Sequence, residues 1–141
     1  MSPTTDPRID ALREMIGALE RADRDQFQRL IGEWVHPDCE WFSRLAVVQG
    51  RSYEGREGMV AWFDDFLDSF DEVRYVGPEF RPIGDDTVLV LITLQVHGRE
   101  SGVEMAQELG VVYEFDDGLL RRGRVYESHA EAIEAAEALH A

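Results

Sequence analysis

Apolar residues recur with helical spacing in the first half of the chain and predict three helices. The first follows Asp6-Pro7, a capping residue before a proline that suits the first helical turn. The second is shorter and ends at His36-Pro37-Asp38, because a residue that precedes proline avoids the helical region. The third runs over residues 54–70. The apolar positions that define the helices are Ile9, Leu12, Ile16 and Leu19, then Phe27, Leu30, Ile31 and Trp34, then Met59, Trp62, Phe63, Phe66, Leu67 and Phe70.

After residue 70 the pattern changes to the alternation that is typical of β-strands. Strands are predicted over 73–80, 87–97, 103–115 and 119–126, with a short strand over 39–43 before them. The short turns between the later strands imply an antiparallel meander. Ser128, followed three residues later by Glu131, forms a capping box for a last helix that ends at Leu139. This order favours an α+β fold with helices on one face of a curved antiparallel sheet.

The strand over 87–97 is apolar on both faces in its first half, since Val88, Val90 and Ile92 alternate with Leu89 and Leu91. A central strand that is covered on both sides explains this pattern. The helices would form one cover, and a second copy of the protein the other. We therefore predict a homodimer whose interface includes Leu89 and Leu91.

Composition limits the classes of function. The 141 residues are enough for a single domain over 1–141. The chain has 14 basic and 29 acidic residues and a net charge of −15, which makes nucleic acid an unfavourable partner. Every basic side chain is arginine, so the lysine of a phosphate-binding loop or a Schiff base is excluded. No stretch approaches the length of a membrane span, so no membrane partner is expected.

The titratable residues that bind metals are scattered. Cys39 is the only cysteine, which excludes an internal disulfide and a multi-cysteine zinc site. Such a chain suits a reducing compartment, and a cytoplasmic location is expected. The four histidines are far apart in sequence and none has the spacing of a metal-ligand pair. Neither a metal nor a cofactor is predicted.

Four stretches occur in an order that is typical of one protein family. They are His36-Pro37-Asp38-Cys39-Glu40-Trp41, Tyr53-Glu54-Gly55-Arg56-Glu57-Gly58 with Trp62, Gly98-Arg99-Glu100-Ser101-Gly102-Val103, and Phe115-Asp116-Asp117-Gly118 leading to Val125-Tyr126. The chain resembles the SnoaL-like polyketide cyclases of the nuclear transport factor 2-like superfamily, which also holds ketosteroid isomerases and limonene epoxide hydrolase. The resemblance implies a cone-shaped, cystatin-like fold with a pocket on the concave side of the sheet, and a homodimer through the outer sheet faces. It says less about chemistry, because this fold hosts enzymes and plain binding modules.

Gln107 is the one polar residue on the apolar face of the strand over 103–115. A buried amide without partners costs about 1–3 kcal/mol, so Gln107 must bond to protein groups, to water or to a ligand. One interpretation is a core glutamine that is satisfied by neighbouring protein groups. The other is a contact with a bound molecule.

Glu40 and Trp41 point to opposite faces of the short strand, and two orientations are open. Alignment with the family places Glu40 and Phe42 on the concave side, where burial would raise the pKa of the Glu40 carboxyl toward the working range of a general base. With Trp41 inward, Glu40 is solvated and has no role. Alignment with ketosteroid isomerases sets their general-base aspartate at Phe42 and their oxyanion-hole aspartate at Val111, and neither residue here can transfer a proton. Proton transfer would then use Glu40, Glu127 or a water held by Gln107.

The family register also places Arg121 and Glu127 on the inner face near the mouth of the pocket. Arg121 could hold a carboxylate or an enolate there, and the alternative is a cross-strand salt bridge at the sheet edge. Aromatic side chains at Tyr53, Trp62, Phe66 and Tyr113 are interpreted first as core and pocket wall, although a phenol can also donate to an oxyanion.

These observations predict a protein that binds a small apolar molecule, as a cofactor-free acid–base enzyme for cyclisation or isomerisation of an oxygenated substrate. Two alternatives stay open: a hydrophobic-ligand binding module without turnover, and a dimerisation or interaction protein with a filled core. The candidate catalytic residues are Glu40, Gln107 and Glu127. The candidate ligand contacts are Phe42, Tyr53, Trp62, Phe66, Val111, Tyr113 and Arg121.

Overall fold

The computed structural model describes residues 6–43 and 52–139. Two helices come first, followed by two strands, a third helix, four long strands and a last helix. In chain order the elements are α1 (Pro7–Arg21), α2 (Arg24–Trp34), β1 (Val35–Phe42), β2 (Tyr53–Glu54), α3 (Gly55–Ser69), β3 (Phe70–Ile83), β4 (Thr87–Gly98), β5 (Glu104–Asp116), β6 (Leu119–Tyr126) and α4 (His129–Leu139).

Polar side chains fix where three of the helices begin. The Asp6 carboxylate accepts a hydrogen bond from the Arg8 backbone N–H at 3.0 Å, and Pro7 occupies the first turn of α1 as the sequence predicts. Asp23 caps α2 by accepting from the Gln26 N–H at 3.1 Å. The hydroxyl of Ser128 accepts from the Glu131 N–H at 3.1 Å, which satisfies one free N–H at the start of α4.

The strands form a six-stranded sheet in the order β2-β1-β6-β5-β4-β3. Strands β3 to β6 pair antiparallel, which confirms the meander. Strand β1 runs parallel to β6 at the other end of the sheet, and this pairing places Trp41 beside Gly123. Strand β1 begins at Val35, earlier than the predicted residue 39, because the chain passes from α2 straight into extended backbone. The architecture is the predicted α+β fold with a curved sheet.

The first three helices pack against one face of the sheet and form the main core. The buried residues that they contribute include Leu12, Leu19, Phe27, Ile31 and Phe63. This concave face also carries Val88, Val90 and Ile92 from β4, as the alternation of that strand predicts.

The opposite face of β4 is covered from within the same chain. Leu89 and Leu91 are 1% and 5% exposed, and they pack with Val112 against Ala132 and Ala136 of α4. A homodimer interface that includes Leu89 and Leu91 was expected, and this placement is wrong. The last helix supplies the cover that the sequence argument assigned to a second copy.

Candidate functional site

A cavity of about 310 Å³ lies between the first three helices and the concave face of the sheet. That volume lies at the lower end of the range for small-molecule sites. The wall is mostly apolar, with contributions from α1, α2, α3 and all the strands from β3 to β6. Its helical members include Leu12, Met15, Leu19, Phe27, Met59 and Phe66.

Strand β5 lines the cavity with every second residue. Gln107, Val111 and Tyr113 all lie in the wall, together with Met105 and Leu109. Gln107 is half-buried and is the only amide side chain among the lining residues that the structure describes. Its position fits both interpretations of a polar residue on this face, since the carboxamide is close to protein groups and to the cavity.

Trp41, and not Glu40, takes the inward position on β1. Trp41 is 3% exposed and lines the cavity, and Ser43 lies on the same side. The Glu40 side chain is 39% exposed and lies 3.8 Å from Arg121. The concave orientation of Glu40 that the family alignment implies is therefore wrong, and the second orientation is the one adopted. Phe42 shares the outer face with Glu40, where the guanidinium of Arg122 lies 4.9 Å from its ring centre.

Glycine on the neighbouring strand explains this orientation. A Cβ atom at Gly123 would lie 2.5 Å from Cζ3 and 2.6 Å from Cε3 of Trp41, so only glycine leaves room for the indole ring. The ring then stacks against Tyr113 with an interplanar angle of 11° and a centroid distance of 5.9 Å. The sequence alone does not bring Trp41 to Gly123, so this reason for the orientation becomes visible only in the structure.

Arg121 does not reach the cavity, because a β-bulge interrupts β6 at this residue. Glu114 pairs with Arg122 while Phe115 pairs with Leu120, which leaves Arg121 as the extra residue. Leu120 consequently faces the cavity. The Arg121 guanidinium donates to the Asp38 backbone carbonyl instead. The inward placement that strict alternation gives is therefore wrong for this residue.

Glu127 follows the end of β6 and is exposed. It is not among the described residues that line the cavity. The inner-face position expected for Glu127 is thus wrong, since the chain leaves the sheet after Tyr126 and turns toward α4. Of the three candidate catalytic residues, the structure brings only Gln107 to the cavity.

The aromatic candidates do meet in one wall. Trp62 approaches Trp41 edge-on with ring centroids 5.1 Å apart, and it stacks on Phe66 at 5.3 Å. Tyr53 lies at the edge of the same wall, where its hydroxyl donates to a carboxylate oxygen of Asp65 at 2.9 Å. Asp65 is exposed and also lines the cavity. Asp65 is a residue that the sequence analysis missed, because its helical spacing placed it on the solvated face of α3.

Buried hydroxyls and a thiol lie in or near the wall in their protonated forms. Burial raises the pKa of the Tyr75 and Tyr113 phenols far above neutral pH, so both can donate hydrogen bonds but cannot act as bases near pH 7. Tyr75 was not predicted as a site residue. Burial also raises the pKa of the Cys39 thiol to about 12, so this cysteine is not a nucleophile in the folded protein.

One donor in the wall lacks a partner. Across residues 6–43 and 52–139, the indole Nε1 of Trp41 is the buried side-chain polar atom that has no hydrogen-bond partner. A buried donor that is left unsatisfied costs about 1–3 kcal/mol. This N–H is enclosed by its neighbours and does not form part of the accessible cavity surface.

The described residues form neither a metal cluster nor a membrane span. Nowhere in the described part of the chain do three or more His, Cys, Asp or Glu side chains lie where they could hold a metal ion. None of the described helices is long and apolar enough to cross a membrane.

Helices packed into the concave side of a bent sheet around an apolar cavity define the cone-shaped α+β class that the sequence resemblance implies. The model of the SnoaL-like domain family matches residues 12–123, and the chain belongs to this family. No curated protein sequence gives a significant match.

Solved structures share the fold at low sequence identity. A nuclear transport factor 2-like protein of unknown function from Burkholderia pseudomallei has a TM-score of 0.71 and 21% identity, over 92% of this chain and 97% of the other. TerC, co-crystallised with polyporic acid, has a TM-score of 0.70 and 20% identity, over 94% and 99%. A protein with a ketosteroid isomerase-like fold from Catenulispora acidiphila, in complex with trimethylamine, has a TM-score of 0.70 and 14% identity, over 94% and 95%.

Proposed function

We propose that this protein binds a small apolar molecule with oxygen acceptors in the concave cavity. The observation that carries the proposal is the cavity itself, about 310 Å³ in volume, whose apolar wall includes the donors Tyr75 and Tyr113. Apolar pockets with a few convergent polar groups are the usual form of small-molecule sites. The co-crystallised small molecules in two proteins of the same fold, polyporic acid and trimethylamine, support it. A cavity of this size argues against the interpretation as an interaction protein with a filled core.

Gln107 provides the direct test of ligand contact. The variant Gln107→Leu keeps the side chain's approximate size and removes its amide, so binding of a ketone such as 1-tetralone should weaken by about fivefold to tenfold. Isothermal titration calorimetry measures the affinity, and thermal unfolding checks that the fold is kept. Gln28→Leu, on the exposed side of α2, is the matched control and should bind like the parent protein. Equal affinity for all three proteins would contradict a ligand contact by Gln107.

Turnover is a second candidate, and one pair of side chains favours it. We propose that, if the protein is an enzyme, Asp65 acts as the base, because it is the carboxylate among the described lining residues and the Tyr53 hydroxyl holds it at 2.9 Å. Asp65 would take a proton from a carbon next to a ligand carbonyl. The electron pair of the broken C–H bond would move to the carbonyl oxygen as an enolate, stabilised by hydrogen-bond donors of the wall. Glu40 and Glu127 receive no part in this step, because they lie outside the cavity.

Hydrogen–deuterium exchange tests this chemistry without knowledge of the natural substrate. In D₂O, the protein should speed the loss of the NMR signals of the C–H groups beside the carbonyl of 2-tetralone, and Asp65→Asn should remove most of that effect, by about 100-fold or more. Asp64→Asn is the matched control. Asp64 precedes Asp65 in the chain, but its carboxylate pairs with Arg24 at 2.9 Å and it is not among the described lining residues. Binding of 2-tetralone without enhanced exchange would leave the binding module as the function.

A homodimer and a cytoplasmic location complete the proposal. The outer face of β3, β4 and β5 beyond α4 carries exposed residues such as Val76, Gln95 and Ala106, and Val76 is 43% exposed. We propose that a second copy packs on this part of the sheet. The cytoplasmic location rests on the single cysteine and stays a prediction.

A further inference from the structure

Two tyrosine hydroxyls are open to the cavity from different strands. Tyr75 on β3 and Tyr113 on β5 both line it, and neither hydroxyl has a hydrogen-bond partner among the described residues. The unpartnered polar atom that is enclosed by protein in the described chain is Nε1 of Trp41, so the two phenol oxygens stay accessible. Burial raises the pKa of both phenols, so their accessible surface faces the cavity and not bulk solvent.

Strand pairing places these two tyrosines at different points of the concave face. Tyr75 pairs with Leu94 of β4, and Leu94 pairs in turn with Gln107 of β5. Tyr75 and Gln107 therefore flank one residue in a row across the sheet. Tyr113 lies further along β5, where it pairs with Gly123 of β6. The Tyr113 phenol also contributes to the raised pKa of Tyr75, so the curved sheet directs both phenols toward one shared space.

Both tyrosines are held by contacts that leave their hydroxyls unengaged. The Tyr113 ring stacks on Trp41 with an interplanar angle of 11° and a centroid distance of 5.9 Å. The backbone N–H of Tyr75, on the edge strand of the sheet, donates to a Glu20 carboxylate oxygen of α1 at 3.0 Å. A donor that is already ordered loses little freedom when a ligand binds, so its hydrogen bond discriminates well between ligands.

The charge of the wall favours neutral oxygen atoms on the ligand. Asp65 is the one charged side chain among the described lining residues, and it is an anion. A carboxylate ligand in the cavity would therefore lose its hydration without gaining a cationic partner. A carbonyl oxygen accepts from a phenol O–H at a much smaller desolvation cost.

We propose that Tyr75 and Tyr113 are specificity-determining residues that read two separate oxygen atoms of one neutral ligand. One oxygen accepts from the Tyr75 hydroxyl at the side of the cavity where Gln107 lies, and the other accepts from the Tyr113 hydroxyl. The ligand class is thus an apolar ring frame with two carbonyl groups, such as a diketone or a quinone. This inference rests on the proposed function, because it requires a ligand in the concave cavity. It adds how many oxygens are read and which side chains read them.

Two pairs of probes with similar shapes test the number of oxygens: 1,4-naphthoquinone with naphthalene, and 1-tetralone with tetralin. Calorimetric titration in thiol-free buffer gives the affinity ratio within each pair, which cancels changes in packing. Tyr75→Phe and Tyr113→Phe should each lower the ratio of naphthoquinone to naphthalene by about fivefold to tenfold, and the double variant by about the product of the two. For 1-tetralone, which has one carbonyl, Tyr75→Phe should lower the ratio to tetralin and Tyr113→Phe should not, because Gln107 adds a second polar group at the Tyr75 side.

Tyr126→Phe is the matched control. Tyr126 lies on β6, packs with the cluster under α4 and is not among the described residues that line the cavity, so this variant should leave both ratios unchanged. Infrared spectroscopy of the parent protein gives a readout that needs no variant. The C=O stretching band of bound 1,4-naphthoquinone should lie at a lower frequency than in cyclohexane, because both carbonyls accept hydrogen bonds.

The outcomes separate the inference from the function on which it rests. An equal loss for 1-tetralone in both tyrosine variants would show that the two hydroxyls hold a single oxygen, and the inference is overturned. If the probes bind but neither variant changes a ratio, or the C=O band does not shift, the inference is overturned and the binding function stands. If no probe binds, the proposed function is overturned and the inference with it.

Discussion

Gly110 on β5 faces α4, and its replacement by alanine should destabilise the protein by pushing that helix off the sheet. A Cβ atom at this position would lie 2.2 Å from the Ala132 Cβ and 3.5 Å from a methyl group of Leu91. Both Cβ atoms are attached directly to backbone, so no rotation of a side chain can relieve the clash. The helix or the strand has to move.

The size of the movement sets the size of the effect. Ordinary contact between such atoms begins near 3.4 Å, and the pair would start from 2.2 Å, so α4 must shift outward by about 1.2 Å. Forcing additional carbon atoms into a packed interface costs about 1–3 kcal/mol. We expect Gly110→Ala to lower the free energy of unfolding by that amount and the melting temperature by about 2–4 °C for each kcal/mol.

Urea denaturation followed by circular dichroism measures the effect, and a second glycine gives the control. Gly32 lies on the exposed side of α2, and a Cβ there would have no heavy atom within 4 Å. Gly32→Ala should therefore stabilise the protein by about 0.5–1 kcal/mol through the better helix propensity of alanine. The same chemical change at the two glycines thus has opposite expected signs.

A double-mutant cycle isolates the contact itself. Ala132→Gly removes the atom that the new methyl group meets, so Gly110→Ala should be tolerated much better in that background than in the parent protein. A coupling energy near zero would show that the clash is not the cause. Stabilisation by Gly110→Ala alone would refute the packing of α4 on Leu89 and Leu91.

Two other predictions concern charge and assembly. The hydrogen bond that His97 Nδ1 donates to the Asp71 carboxylate, at 2.5 Å, raises the pKa of His97 in the folded protein. Its contribution to stability is therefore present below about pH 6.5, the pKa of an unfolded histidine, and is lost as the pH rises through the higher folded pKa. NMR titration of the imidazole should show this raised pKa, and Asp71→Asn should return it toward 6.5; an unchanged pKa would contradict the pairing. For the homodimer, light scattering at micromolar concentration should give twice the 16.1 kDa of the chain, and a monodisperse monomer would contradict it.

Local patterns were enough to predict most of the secondary structure. Helical spacing of apolar residues located α1 and α3, and the capping role of Asp6 was visible in the sequence. Alternation located β4 and β5 to within a few residues. These features depend on neighbouring residues alone, which is why a single sequence reveals them.

Features that depend on distant residues were harder to predict. The parallel pairing of β1 with β6 joins segments about 80 residues apart, and no turn specifies it. The cover over Leu89 was assigned to a second copy because the helices were all expected on the other face of the sheet, and the chain is short. Small side chains at Ala132 and Ala136 are in fact what allow α4 to lie close to the sheet opposite Gly110.

In the candidate site, too, the positions set by local alternation were predicted and those set by strand pairing were not. Gln107, Val111 and Tyr113 were placed correctly because β5 alternates without interruption over those residues. Arg121 was misplaced because the bulge at this residue turns Leu120 to the inner face, whereas Gly123 and Val125 after it keep the predicted face. A bulge of this kind leaves no clear mark in the sequence, since it arises from how two strands meet.

Trp41 faces the cavity from β1 and Glu40 faces outward, and this orientation decides what chemistry the cavity can perform. An inward glutamate would have given the interior its own base, whereas the described wall offers the O–H donors of Tyr75 and Tyr113. These donors can hold a carbonyl and stabilise negative charge that develops on its oxygen, but they cannot take a proton. Asp65 is the carboxylate that remains among the described lining residues, so a substrate would need its reactive C–H bond near α3.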